Sequence, residues 1–441
     1  MSTGCALPEE LSGKRVTVVG LGRFDGGVGG TRWLCKQGAR VTVSDRAPAS
    51  ELEDSIRQLD GLNATFHLGG HLEDDFLGAD LLVVNPAIPR EMPLLKKARE
   101  AHVPLTTEIN LFLSRCRGIV VGITGSVGKS TTTAMVGEIF SRRYTTHVGG
   151  NIGRSLLEQV ETIRPEHVVV LELSSFQLED LPQIGISPHV AMVTNLMPNH
   201  LDRHGTMDAY GAAKKNIFRF QKADDVLILN AGCAVSSAWA KEARGKVAFF
   251  NTGKGEELFE LAIPGSHNQV NAQGAWAVVR EMGIDSKMAH EALSGFAGLP
   301  HRLQFVSEVE GVRYYNDSKC TTPEGAIVAL NAFDAGKVII IVGGYDKHVS
   351  FDELGEVIAK RAKGAVAIGA TKDQISEAVS KCTAEGTWVV KADDLAGAVR
   401  EARRMSVRGD VVLLSPACAS YDMFRNYEQR GDLFAGLVGE K

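Results

Sequence analysis

The chain has 441 residues, 44% hydrophobic and 23% charged, with a formal net charge of -5. That length allows two to four domains and several cores, and the composition is that of a soluble globular protein. The acidic balance leaves no basic footprint for nucleic acid, although Gly-rich loops and local Lys or Arg can still bind anionic small molecules.

The seven cysteines are dispersed and form no CxxC pair. This fits a reducing cytosol better than a disulfide framework. The N-terminus shows no charged stretch leading into an apolar one, and no apolar run reaches membrane-spanning length. A cytoplasmic protein with no membrane partner is expected.

Short β-branched runs alternate with helical stretches along the chain. Residues 16–19 and 41–43 read as buried strands around a helix at about 31–37, and 81–84 as a further strand. The pattern restarts with strands at 119–123, 168–171, 190–193 and 226–229. It starts a third time with 338–342, 365–368 and 411–414. Such alternation predicts an α/β fold with parallel sheets and right-handed crossovers. Three domains are expected. Residues 1–108 form a Rossmann-like domain, 109–299 a central P-loop ATPase-like domain, and 300–441 a C-terminal Rossmann-like α/β domain. The turn-like Gly298-Leu299-Pro300 marks the second boundary.

Residues 16–27 read VTVVGLGRFDGG, and Asp45 ends the next strand. This invites a dinucleotide fingerprint, but Asp25 stands where the third Gly of GxGxxG belongs.

Residues 119–133 read IVVGITGSVGKSTTT. A strand ends at Thr124, Gly125-Ser126-Val127-Gly128 form a loop, and a helix opens with Ser130-Thr131-Thr132. The glycines let backbone N–H groups close on a phosphate, and the helix N-terminus adds partial positive charge. Lys129 would reach the β/γ-phosphates and Ser130 a magnesium ion. Ile123 replaces the first Gly of the strict pattern, so the shorter Thr124-Gly125-x-x-Gly128-Lys129-Ser130 is what fits. The alternative is an ordinary Gly turn, against which the complete strand–loop–Lys-Ser–helix context counts. The motif specifies a nucleotide phosphate and not a reaction.

Glu172 ends a strand, on the ligand side of a parallel sheet, where oxygen donors suit Mg²⁺. A merely capped strand end is the bland alternative. His200 closely follows the next strand end, although a lone His is more often a satisfied polar group. Lys214 lies on a helix expected at 209–220, where composition alone would leave it in water.

These motifs together resemble the Mur ligase family. The P-loop, the Glu172 block, His200-Leu201-Asp202 and Ala213-Lys214-x-x-Ile217-Phe218 occur in the family's order. So do Gly265-Ser266-His267-Asn268-Gln269-Val270-Asn271-Ala272, Gly298-Leu299-Pro300-His301-Arg302, Asn316-Asp317-Ser318-Lys319-Cys320-Thr321, Gly343-Gly344-x-x-Lys347 and residues 414–422. The blocks span nearly the whole chain, and the C-terminal ones resemble those of the family's D-glutamate-adding ligase, which acts on UDP-N-acetylmuramoyl-L-alanine.

The resemblance implies ATP as substrate and two Mg²⁺, one on Ser130 and Glu172, the other on His200 and Lys214. It implies that Lys214 carries carbon dioxide as a carbamate, and that Lys129, Glu172, His200 and Lys214 serve catalysis. Thr124, Gly125, Ser126, Val127, Gly128, Thr131, Asn151, Asn268, Asn271, Arg302 and Asp317 would contact ATP. Leu21, Gly22, Arg23, Asp45, Arg46 and Asn85 would line the UDP pocket. His301, Lys319, Thr321, Lys347, Ser420 and the backbone near Tyr427 would serve D-glutamate. Residues 23–30 are longer and more Gly-rich than the family's usual turn, and Val127 replaces its common Asn. The implied protein is a monomer whose third domain closes over small-molecule substrates. The rivals are a related ligase such as a folylpolyglutamate synthase, an NAD-dependent oxidoreductase, and a P-loop switch protein.

Overall fold

The computed structural model describes residues 8, 10–22, 25–347, 349–382 and 388–439, except for the side chains of Asp25 and Asp202. It divides into two compact units, residues 1–257 with 271–289, and residues 258–270 with 290–441.

The first unit holds two sheets. One has five parallel strands, β1 (Arg15–Val19), β2 (Arg40–Asp45), β3 (Ala64–Leu68), β4 (Leu81–Val84) and β5 (Leu105–Thr106), in the order β3-β2-β1-β4-β5. The strand order reverses at β1 and β4, which opens a crevice at their C-terminal ends. Leu21 and Gly22 follow β1, Asp45 ends β2, and Asn85 follows β4.

The helix after β1 runs over Asp25–Lys36, earlier than the sequence pattern suggests. Its glycines masked it, because Gly disfavours helix interiors. The structure shows why they are there. A Cβ on Gly27 would lie 2.0 Å from the Leu21 carbonyl oxygen, and one on Gly29 would lie 2.8 Å from Ser155 Cβ. The Gly-rich stretch from Gly26 to Gly30 is therefore helical, closely packed at Gly27 and Gly29, and not an extended loop.

The second sheet comprises β6 (Ile119–Thr124), β7 (Thr146–Gly150), β8 (Val168–Glu172), β9 (Val190–Val193), β10 (Val226–Asn230) and β11 (Lys246–Phe250). Its order is β7-β8-β6-β9-β10-β11, all parallel. Every residue of β8, β9 and β10 is buried, as apolar strands covered on both faces must be. One core joins the two sheets through Trp33, Phe112, Leu157 and Leu171.

The second unit contains β12 (Gln304–Val309), β13 (Val312–Asn316), β14 (Val338–Gly343), β15 (Ala362–Ile368), β16 (Trp388–Lys391) and β17 (Val411–Leu414), in the order β12-β13-β17-β14-β15-β16. The sequence pattern did not pick out β12 and β13, which pair antiparallel, whereas the other strand pairs of this sheet are parallel. Glu310 and Gly311 both have positive φ, 54° and 78°, the conformation of a tight hairpin turn, and so short a connection permits only antiparallel pairing. Helices cover both faces, with Leu330, Leu354 and Ile375 on one side and Leu395, Val399 and Phe434 on the other. Among the described residues no helix is long and apolar enough to cross a membrane, and the described cysteines are unpaired.

Candidate active site

The loop after β6 has the backbone that its glycines allow. Gly125 sits at φ 147° and Gly128 at φ 83°. A Cβ on Gly125 would lie 1.9 Å from Thr194 Oγ1, and one on Gly128 would lie 2.5 Å from Asn271 Oδ1. The helix Lys129–Ser141 begins one residue before the expected Ser130. Ser126 and Val127 donate backbone N–H groups to Asn195 Oδ1 at 3.2 and 3.0 Å, and Thr194 Oγ1 donates to the Val127 carbonyl at 2.7 Å. The Val127 side chain is exposed and its backbone makes the contacts, so the side chain there is free to vary. Lys129 Nζ donates to the Ser126 carbonyl at 3.0 Å, curled over the loop. Thr131 is buried and Ser130 half-buried at the helix start.

Two groups that the sequence left in doubt meet this loop. Lys214, on the helix Met207–Arg219 capped by Thr206, is 1% exposed rather than in water. Its Nζ donates to the Gly125 carbonyl at 2.8 Å and to Thr124 Oγ1 at 3.4 Å, and lies 4.7 Å from the Tyr210 ring centroid. Burial, reinforced by Lys129 and opposed by Glu172, lowers its pKa to about 7. Glu172 is also buried. Its Oε1 accepts from Asn151 Nδ2 at 2.9 Å, whereas Oε2 is buried with no hydrogen-bond partner. Asn151, expected to contact ATP, thus has its side-chain amide on Glu172. Asn271 lies against Gly128 and accepts from Thr132 Oγ1 at 3.4 Å.

His200 adopts a left-handed conformation, φ 53°, before the short helix Leu201–His204 and is exposed. Its ring lies 5.0 Å from that of Phe176 and 6.3 Å from that of Tyr210. The sequence reading missed what braces it. The His204 side chain is only 2% exposed, bonds Ser175 Oγ at 3.0 Å and Glu179 at 3.2 Å, and stacks on Phe176. Burial lowers its pKa. Arg203 lies over Phe176 and donates to the carbonyls of Pro86, Ala87 and Ile88 at 3.3–3.4 Å. That arginine joins the His200 turn to the crevice of the first sheet.

In that crevice Asp45 is already engaged, accepting from the N–H groups of Gly22 at 3.1 Å and Ala47 at 2.9 Å. Asn85 Nδ2 donates to the Gly20 carbonyl at 3.2 Å. Leu21 is wholly buried, which leaves only its backbone available to a ligand, and Arg46 is exposed. Arg23 lies outside the described residues.

The second unit gathers the C-terminal candidates at strand ends of its sheet. Asp317, after β13, accepts from Ser415 Oγ at 2.8 Å and from the Leu303 N–H at 3.1 Å, and burial lifts its pKa to about 6. Arg302, next to Leu303, acts on it electrostatically. His301 meets Asn316 Nδ2 at 3.1 Å and packs edge-on against Tyr427. Lys319 Nζ lies 5.6 Å from the Tyr427 ring centroid. Lys347 Nζ donates to the Thr321 carbonyl at 3.4 Å, and Ser420 is buried nearby in sequence to Cys418. Asn268 donates to the Pro264 carbonyl at 2.6 Å.

Among the described residues no three His, Cys, Asp or Glu side chains cluster as a metal cage. A magnesium ion on a nucleotide needs none, since phosphate and water supply most of its oxygens. The partnerless Glu172 Oε2 and the Ser130 hydroxyl fit that chemistry.

The Mur ligase MurD-like N-terminal domain matches residues 14–107, the Mur ligase middle domain residues 123–257, and the Mur ligase glutamate ligase domain residues 301–418. The chain is 40% identical to a UDP-N-acetylmuramoylalanine--D-glutamate ligase of Symbiobacterium thermophilum, over 96% of this chain and 98% of that one. It is 38% identical to the one of a Roseiflexus species, over 97% and 99%. Among solved structures, UDP-N-acetylmuramate-alanine ligase MurC of Thermotoga maritima superposes with a TM-score of 0.62 at 19% identity, covering 96% of this chain and 99% of that one. The MurF ligase of Thermotoga maritima in complex with ADP gives 0.56 at 16%, covering 98% and 99%. With its three-sheet α/β architecture and a full-length match to these ligases, the chain belongs to the Mur ligase family.

Proposed function

We propose that this chain joins D-glutamate to the L-alanyl carboxylate of UDP-N-acetylmuramoyl-L-alanine, converting ATP to ADP and phosphate, in cytoplasmic peptidoglycan precursor synthesis. One observation carries the reading. At one sheet's C-terminal edge the Lys129 loop holds the buried Lys214 amine and follows a strand paired with the one ending in Glu172, whose Oε2 is partnerless, in a chain that matches D-glutamate-adding ligases from end to end.

A carboxylate is a poor acyl donor, because oxide is a poor leaving group. In the proposed reaction an acceptor oxygen attacks the γ-phosphorus of ATP and the bond to the bridging oxygen breaks, giving an acyl phosphate and ADP. The D-glutamate amine then attacks the acyl carbon, a proton leaves nitrogen, and phosphate departs. Positioning and charge neutralisation suffice for this chemistry. Lys129 and the loop N–H groups would hold the transferred phosphoryl group. Ser130, Glu172, His200 and Lys214 would hold magnesium, which when bound supplies a Lewis acid for phosphoryl oxygens. Lys214 would serve as a carbamate. Carbon dioxide adds to a neutral amine, an N–C bond forms and a proton leaves, and the pKa of about 7 supports a large neutral fraction. Leu21, Gly22, Asp45, Arg46 and Asn85 would hold the nucleotide of the acceptor. Thr321, Lys347, Ser420 and Lys319 would hold the amino acid.

Phosphate release tests this. With ATP, Mg²⁺ and the muramoyl nucleotide, D-glutamate is expected to drive release, and L-glutamate and D-alanine are not. Release that needs a folate acceptor, or ignores the amino acid, would overturn the reading.

A further inference from the structure

The C-terminal helix Tyr427–Gly439 carries an arginine that none of the chemistry above uses. Arg430 is 0% exposed. Its Nε donates to Ser318 Oγ at 2.9 Å, Nη2 to the Ser318 carbonyl at 2.8 Å, and Nη1 to the Cys418 carbonyl at 3.1 Å. A Cβ on Gly344 would lie 3.3 Å from Nη1. Three loops therefore meet at one guanidinium, those after β13, β14 and β17. They are the loops that bear Lys319 and Thr321, Lys347, and Ser420.

Among the described residues no carboxylate pairs with Arg430 within salt-bridge distance. Asp422 acts on it only from farther away and spends one oxygen on the Ala370 N–H at 3.0 Å. A buried cation without a paired anion is costly, and an apolar side chain of similar volume would brace the loops with less desolvation. A fixed positive charge at the meeting point of three substrate loops fits a ligand that brings negative charge. The planar fork also holds two loops in one geometry, which a flexible ammonium does not.

We propose that Arg430 is a positioning residue of the amino-acid pocket, fixing the three loops against one another and biasing the pocket toward a dicarboxylate amino acid. This rests on the reading of these loops as the D-glutamate site. Arg430→Lys keeps the charge and loses the fork, whereas Arg430→Met loses both. In steady-state assays the KM for D-glutamate rises about tenfold in Arg430→Lys and about a hundredfold in Arg430→Met, as expected for loss of one and of several charged hydrogen bonds. The KM values for ATP and the muramoyl nucleotide stay within about twofold. Ser318→Ala, which removes one acceptor of the fork, moves the D-glutamate KM in the same direction and decides the matter if Arg430→Met does not fold. An unchanged D-glutamate KM in folded Arg430→Lys and Ser318→Ala overturns the proposal. Equal shifts for all three substrates do so as well. Wild-type protein without D-glutamate-dependent phosphate release defeats the functional reading instead.

Discussion

Gly125→Ala is the sharpest test of how the phosphate loop is built. At φ 147° the backbone is strained for any L side chain, at about 1–3 kcal/mol. The new Cβ would also sit 1.9 Å from Thr194 Oγ1, and that hydroxyl would have to leave its 2.7 Å bond to the Val127 carbonyl. Losing that bond costs about 0.5–1.5 kcal/mol more. The total of about 1.5–4.5 kcal/mol corresponds to a fall of roughly 3–18 °C in the melting temperature of a unit this size. The loop carbonyl that holds Lys214 belongs to Gly125 itself, so the KM for ATP rises together with the loss of stability. Thermal melts and ATP-dependence curves on four proteins complete the experiment: wild type, Gly125→Ala, Thr194→Ala and the double variant. Because Thr194→Ala removes the overlapping oxygen but leaves φ unchanged, the double variant recovers part of the loss, with a coupling of about 1 kcal/mol or more. A single variant that melts like wild type, or strictly additive effects, would refute the reasoning.

Further outcomes follow from the same geometry. Glu172→Gln keeps the shape but replaces an oxygen anion with an amide, so the Mg²⁺ concentration for half-maximal activity rises about tenfold or more in a metal titration; an unchanged titration removes Glu172 from the metal site. Burial raises the Asp317 pKa to about 6 in the folded state, above its unfolded value. The stability it confers is present below about pH 4 and lost as pH rises through about 6, by roughly 2–3 kcal/mol. Urea unfolding of Asp317→Asn should lack that fall between pH 4 and 6, and parallel pH profiles for both proteins would contradict the assigned burial effect.

Much of this was legible from residue order, because it depends on local signals. Apolar strand runs, the Gly-Lys-Ser loop and a carboxylate at a strand end each lie within a few neighbouring residues. What stayed hidden depends on distant partners. The first turns of the helix over Asp25–Lys36 looked like a loop because their glycines serve packing against Leu21 and Ser155. By composition alone Lys214 looked like a surface lysine, and only the family resemblance pointed to the site where the fold brings it to Gly125, 89 residues away. The tie between Arg430 and Ser318 spans 112 residues, and Arg203 reaches the Pro86 carbonyl across 117. No spacing rule reports such pairs, and only the sheet order makes them neighbours.

The central claim is that the acceptor carboxylate itself takes the phosphoryl group before the amine arrives. Labelling both oxygens of the L-alanyl carboxylate with ¹⁸O and analysing the released phosphate by mass spectrometry tests it most directly. The account predicts phosphate carrying one heavy oxygen per turnover, with the other retained in the new amide. Fully unlabelled phosphate, released at the same rate as amide, would contradict it.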